Sequence, residues 1–146
     1  MATLQTAKVA SSYQARAGID LTSVTASYTL TAALALNDVV QMVKIPKGAT
    51  VVEVVLSCDD LDTGGSPTIV LDVGDGGDTD RFIDGATIGQ TGGYVRLGQG
   101  ITAAGDAGAA YTYTDEDTID VLVQAGPATG AASGTITLSV LYTMQS

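Results

Sequence analysis

The chemistry open to this chain is carried by its carboxylates. Asp59, Asp60 and Asp62 stand in one turn, and Asp72, Asp75, Asp78, Asp80 and Asp84 follow within a short span. Calcium takes oxygen ligands from flexible, carboxylate-rich loops, and the run GDGGDTD invites that reading, with Asp75, Asp78 and Asp80 as the best candidate ligands. The spacing does not fit an EF-hand loop, which needs glycine at its sixth position and glutamate at its twelfth, and the repeated nonapeptide of calcium-binding β-rolls is missing. Aspartate and glycine also make turns for local reasons, the carboxylate capping nearby backbone N–H groups. The turn reading is preferred, so neither a metal nor a cofactor is expected.

Other reactive machinery is missing from the sequence. There is no histidine, which removes the usual general base at neutral pH and every Ser-His or Cys-His nucleophile pair. The single cysteine, Cys58, excludes an internal disulfide and a thiolate metal site, and reads as a small buried hydrophobe at a strand end. That usage fits folding in a reducing cytoplasm. No G-x-x-x-x-G-K-[ST] phosphate loop is present, and the glycine pairs do not open helical patterns. Two carboxylates can serve as acid and base in glycoside hydrolysis, but here the acids lie in glycine-rich turns and no tryptophan is available to stack a sugar. The chain does not read as an enzyme.

Charge narrows the partners. Sixteen acidic residues oppose six basic ones, a net charge of −10. Lys8, Arg16, Lys44, Lys47, Arg81 and Arg96 are scattered, so nucleic acid, which is bound through clustered lysine and arginine, is not an expected partner. No apolar run is long enough to span a membrane, and the N-terminus lacks the basic-then-apolar layout of a secretory signal.

The elements that must position these residues are strands. Ile136, Leu138, Val140 and Tyr142 alternate with Thr135, Thr137, Ser139 and Thr143, and Ile119, Val121 and Val123 alternate with Thr118, Asp120 and Leu122. Val24, Ala26, Tyr28 and Leu30 do so against Thr25, Ser27, Thr29 and Thr31, and Val52, Val54 and Leu56 form another inward row with Glu53 opposite. Period two marks half-buried strands, and no window carries a sustained helical stripe. Strands are predicted near 23–31, 38–45, 50–57, 67–73, 80–84, 94–97, 110–114, 117–124 and 134–143, with one of the nine in excess. Glycines gather at 64–65, 74–77, 85–100 and 105–108, the expected loop tips. Short strands with frequent turns predict an all-β fold, a jelly-roll-like β-sandwich over 23–146 with an extended N-terminal arm at 1–22.

In the arm, Leu4, Val9, Tyr13 and Ile19 are spaced by small and polar residues. Such a segment either frays or orders against a neighbouring subunit by adding a strand to an exposed edge. Residues 85–110 form a glycine- and alanine-rich excursion suited to contacts. Tyr28 and Tyr142 fall on inward rows. Tyr111 and Tyr113 lie two apart on one predicted strand and, with Tyr94, are candidate interface anchors, although core packing suits the pair equally well.

One stretch carries a family signal. In Asn37–Phe82 a strand is followed by IPKGA, a VVEVVLS strand, the D-x-L-D turn and a strand ending in VG. This arrangement resembles the small head proteins of tailed bacteriophages, over roughly the first two-thirds of the chain. The resemblance implies a decoration or cement protein on the outside of an icosahedral head, made in the host bacterial cytoplasm. Its partners would be the major capsid protein and further copies of itself, as a homotrimer first and a dimer second. The rival readings are a glycan- or receptor-binding module of a head fibre or tail, a tube- or shell-forming subunit, and a calcium-dependent adhesin.

Overall fold

The computed structural model describes residues 1–6, 21–100 and 108–144. Among the described residues nine strands run in chain order: β1 (Thr3–Gln5), β2 (Leu21–Thr29), β3 (Val39–Ile45), β4 (Ala49–Cys58), β5 (Val70–Gly74), β6 (Ile83–Ala86), β7 (Gly93–Arg96), β8 (Asp117–Ala125) and β9 (Thr135–Met144). A single 3-10 turn, Ile88–Gln90, links β6 to β7, and no α-helix occurs among the described residues. The strands form two sheets, one in the order β1-β3-β8-β5-β6 and the other in the order β2-β9-β4-β7. The protein is an all-β sandwich.

The period-two rows account for the core. Ile136, Leu138, Val140 and Tyr142 of β9 are fully buried and meet Ile119, Val121 and Val123 of β8, Leu71 and Val73 of β5, and Phe82 and Ile83 in one cluster. Each such aliphatic side chain contributes about 1.5–3 kcal/mol by leaving water, so the shared interior is what holds two thin sheets together. Pro46-Lys47-Gly48 makes the expected reversal between β3 and β4. Ala49 N–H donates to the Pro46 carbonyl at 3.2 Å, and Gly48 sits at φ 86°, a backbone region that side chains oppose.

Three local expectations change. Val52 was placed on the inward row, but a bulge between Val51 and Glu53 in the β4–β9 register resets the alternation. Val51 and Val54 are therefore buried, and Val52 is 49% exposed. Residues 110–114 do not form a strand. Only Thr112 bridges Thr50, although the Val51 and Tyr113 N–H groups donate to the Tyr111 and Ala49 carbonyls respectively, both at 2.9 Å. The third concerns the N-terminal segment. Its residues Thr3–Gln5 add a parallel edge strand to β3 of their own chain, with Leu4 half-buried against the core, and β2 already begins at Leu21. Val9, Tyr13 and Ile19 lie outside the described residues.

Candidate interaction surface

The β5–β6 connection is organised by Asp75. Its Oδ1 accepts the Gly77 and Asp78 backbone N–H groups at 2.9 Å each, and its Oδ2 accepts Arg81 Nε at 2.6 Å and the Tyr113 hydroxyl at 2.9 Å. Arg81 in turn lies 3.8 Å from the centroid of the Tyr111 ring, and the Tyr111 and Tyr113 rings meet edge to face with centroids 5.0 Å apart. Burial pushes the Asp75 carboxyl upward, but the Arg81, Tyr113 and Gly77 donors outweigh it and hold the group below the ordinary carboxylate range. Burial, and then the facing carboxylate, drive the Tyr113 hydroxyl well above its ordinary value, so it stays a donor.

This arrangement shows where several of the predicted site residues lie. Asp75 is committed to a buried ion pair, Asp78 lies 3.9 Å from Arg81, and Asp80 is raised chiefly by its hydrogen bond with Asp78. No group of three His, Cys, Asp or Glu side chains among the described residues is placed to hold a metal ion. Tyr113 is buried and Tyr111 half-buried, both packed inside the protein, whereas Tyr94 on β7 is 70% exposed.

A second carboxylate, Asp62, staples two distant loops. It accepts the backbone N–H groups of Thr68 and Ala128, at 2.7 and 2.8 Å, and of Gly64, Ile69 and Thr129, at 2.9–3.2 Å. Burial opposes its charge, but the Thr129, Thr68, Ala128 and Gly64 donors prevail and hold it below the ordinary range. Cys58 is pushed up to about 12 by burial and then by Asp59 and Asp60, which makes it a poor nucleophile.

The two outer faces differ in charge. In the sheet containing β3, β8, β5 and β6, the strands bear Asp72, Asp84, Asp117 and Asp120 against one lysine, Lys44. Asp72 is 2% exposed and raised to about 6, by burial foremost and by Asp84 and Asp80, against the Gly85 N–H that bonds it. Asp120 is raised to about 7 by burial first and then by Asp117 and Asp75, against a Thr118 hydrogen bond. Its Oδ1 is buried without a hydrogen-bond partner among the described residues. Asp120 lines a cavity of about 130 Å³ with Val39, Leu122, Thr79 and Asp75.

The sheet formed by β2, β9, β4 and β7 is different. Its strands contain only two charged residues, Glu53 and Arg96, and these neutralise each other at 2.7 Å. Its outer face carries Thr25, Ser27 and Thr29 in direct register with Ser139, Thr137 and Thr135, with Ser23 beside Leu141 and with Ser57 and Tyr94 beyond. Thr25–Ser139 and Ser27–Thr137 hydroxyl pairs, each at 2.9 Å, cross the strands. In a chain of net charge −10 this is a broad neutral surface. Its signal was present in the sequence as threonine and serine alternating through two strands with no acid among them.

Neither a protein-family profile nor any curated protein sequence matches the chain. Solved structures do. A chain of the capsid of Ralstonia phage GP4 is 33% identical, with a TM-score of 0.83 over 99% of each chain. A chain of the cyanophage Pam1 capsid asymmetric unit is 28% identical, with a TM-score of 0.75 over 92% of each. A chain of the acidic stable capsid structure of Helicobacter pylori bacteriophage KHP30 shares the fold at 20% identity, with a TM-score of 0.53 over 87% of this chain and 95% of that one. With near-complete coverage at one-third identity, the chain belongs to the phage capsid proteins, and its role is that of a virion structural component.

Proposed function

We propose that this protein is a decoration, or cement, protein that binds the outside of a tailed-phage icosahedral head and bridges major capsid subunits. The observation that carries the reading is the likeness, over 99% of both chains, between an all-strand sandwich of 146 residues and a component of a phage capsid. A helix-poor chain of this length is unlike the usual tailed-phage shell subunit, which leaves an accessory place on the shell. The strand order β2-β9-β4-β7 over β3-β8-β5-β6 supports a jelly roll, in which chain neighbours alternate between sheets except at the β5–β6 hairpin.

Bridging is a matter of multivalency. An oligomer touching several shell subunits raises the effective concentration of each further contact, so modest individual contacts sum to a durable clamp. A homotrimer suits local three-fold axes and a dimer two-fold ones. The exposed Tyr94, the rest of the 85–110 segment, which includes the end of β6, the 3-10 turn and β7, and the N-terminal segment are the proposed contact surfaces. Deletion of residues 1–20, which also removes the edge strand β1, is expected to weaken attachment while the sheets formed by β2–β9 stay folded.

The decisive experiment mixes purified protein with shells lacking it, followed by co-sedimentation and electron microscopy. Added density on the exterior is the expected result. Tubes or shells formed by the protein alone would replace the decoration reading with a polymerising subunit, and specific signals on a glycan array would favour a receptor-binding module.

A further inference from the structure

In register, Leu122 stands beside Val39, and Asp120 beside Gly74. They alternate with the fully buried Ile119 and Val121, so all four positions lie on the outer face of their sheet. Gly74 brings no side chain to that face, and the space above it is a cavity of about 130 Å³ rimmed by Gly76 and Thr79, both exposed. Its walls are apolar at the half-buried Val39 and Leu122, and Asp120 adds a carboxylate. Pockets for drug-sized ligands run to about 300–1,000 Å³, so this one suits the end of a single side chain.

The carboxylate lacks what a buried acceptor needs. Asp120 Oδ1 is withdrawn from water without a hydrogen-bond partner among the described residues, a state that protein interiors rarely leave standing. No bond at Oδ1 opposes a turn about Cα–Cβ that brings this oxygen to the cavity. The surrounding charges leave cation in deficit. Asp117 stands on the same strand, and a Cβ on Gly76 at the rim would lie 3.8 Å from its Oδ1. Asp75 and Asp78 both face Arg81 in the turn, and Lys44 on β3 is held by Glu116 at 2.9 Å. Among the described residues no ion pair reaches Asp117 or Asp120.

We propose that this cavity receives a lysine side chain of a neighbouring shell subunit, its stem between Val39 and Leu122 and its ammonium on Asp120. The inference rests on the decoration reading and gives it a point of attachment. Lysine suits the site better than arginine. A compact ammonium on an apolar stem meets one free oxygen and turns its other N–H groups to Asp117 and water at the rim. A guanidinium would carry five donors in a rigid fork to a site with one free acceptor. Burial first, and then Asp117 and Asp75, raise Asp120 to about 7 against a Thr118 hydrogen bond. The ammonium binds the ionised carboxylate, so uptake releases a proton and is about tenfold tighter near pH 8 than near pH 6.

Two measurements on the full chain separate the site from its occupant. In the first, isotope-labelled protein is titrated with Nα-acetyl-lysine N-methylamide and with the norleucine analogue, which has the stem without the charge. Saturable amide shifts at Val39, Thr79, Asp120 and Leu122 are expected with the lysine probe in the millimolar range. Binding should be about tenfold weaker for the norleucine probe, and about tenfold weaker for the lysine probe on Asp120→Asn. In the second, shells lacking the protein are mixed with wild type, with Asp120→Asn and with Asp115→Asn, which removes an exposed carboxylate outside the cavity. Asp120→Asn, folded as judged by its melting temperature, is expected to attach about tenfold more weakly, and Asp115→Asn as well as wild type. Failure of wild type itself to attach would sink the decoration reading. Absence of saturable shifts with the lysine probe, equal shifts with norleucine, or undiminished attachment of Asp120→Asn would overturn this inference and leave decoration standing.

Discussion

Tyr113 donates its hydroxyl to Asp75 Oδ2 at 2.9 Å, across 38 residues of sequence, and so ties the segment after the 85–110 excursion to the β5–β6 turn. Asp75 also holds Arg81, which stacks on Tyr111, so one buried carboxylate fixes three side chains from two loops.

Removing one donor should be milder than removing the acceptor. Tyr113→Phe is expected to lower unfolding free energy by about 1.5–3 kcal/mol, the range for a hydrogen bond to a charged group. Asp75→Ala strands the Arg81 guanidinium in a largely buried position and should lower it by about 3–5 kcal/mol. Urea titrations with an unchanged m-value would measure both. Equal losses would show that the tyrosine, not the ion pair, dominates.

Asp62→Ala leaves five backbone N–H groups without their acceptor. Its thermal midpoint should fall further than that of Asp59→Asn, because Asp59 accepts a single exposed backbone bond from Thr135. Hydrogen exchange should speed up in both loops of the Asp62 variant, at residues 62–69 and 126–130 together.

Acidification should at first stabilise the protein. Asp72 and Asp120 have folded pKa values of about 6 and about 7, above the unfolded carboxylate near 3.9, so the folded state binds more protons between those limits. Their contribution is therefore present at low pH and lost as pH rises through 6 and 7. The melting temperature is expected to rise from about pH 8 to about pH 5, and Asp120→Asn should flatten that rise. Asp62 and Asp75 have the opposite sign. Their depressed values supply stability above the unfolded pKa, which is lost as pH falls through their folded values, so unfolding should set in under stronger acid.

Gly74→Ala is expected to cost at least about 1–3 kcal/mol. A Cβ there would stand 2.1 Å from the Asp78 carbonyl oxygen and 2.5 Å from that of Thr79, both backbone atoms of the turn that Asp75 organises. Gly65→Ala, which meets nothing within 4 Å, serves as the control for denaturant midpoints.

Much of this was legible in the sequence because strand alternation has a fixed period. The rows at Ile136–Tyr142 and Ile119–Val123 fall on the core as read, since nothing interrupts their pairing. Val52 escaped because a bulge shifts phase by one residue without leaving a compositional mark. The 110–114 segment reads as a strand through its tyrosines, yet those rings are held by Arg81 and Asp75, partners 38 residues away for Tyr113 and about 30 for Tyr111, which no local pattern reveals. At Asp75 the carboxylate caps the Gly77 and Asp78 backbone N–H groups, a local contact that an aspartate- and glycine-rich run makes legible. That the same carboxylate also anchors a buried ion pair depends on tertiary approach.

The pairing of β2 with β9 places Thr25 against Ser139, 114 positions later, and β9 also completes the pairing of β4. A nascent chain therefore holds β2 without a strand partner, and β4 paired only with β7, until β9 has been synthesised, and the neutral sheet can close only afterwards. Such non-local topology belongs to the slow-folding class, and its half-made states expose open strand edges to other chains. Refolding from denaturant should therefore give a higher yield in dilute than in concentrated solution, because incomplete sheets then meet less often.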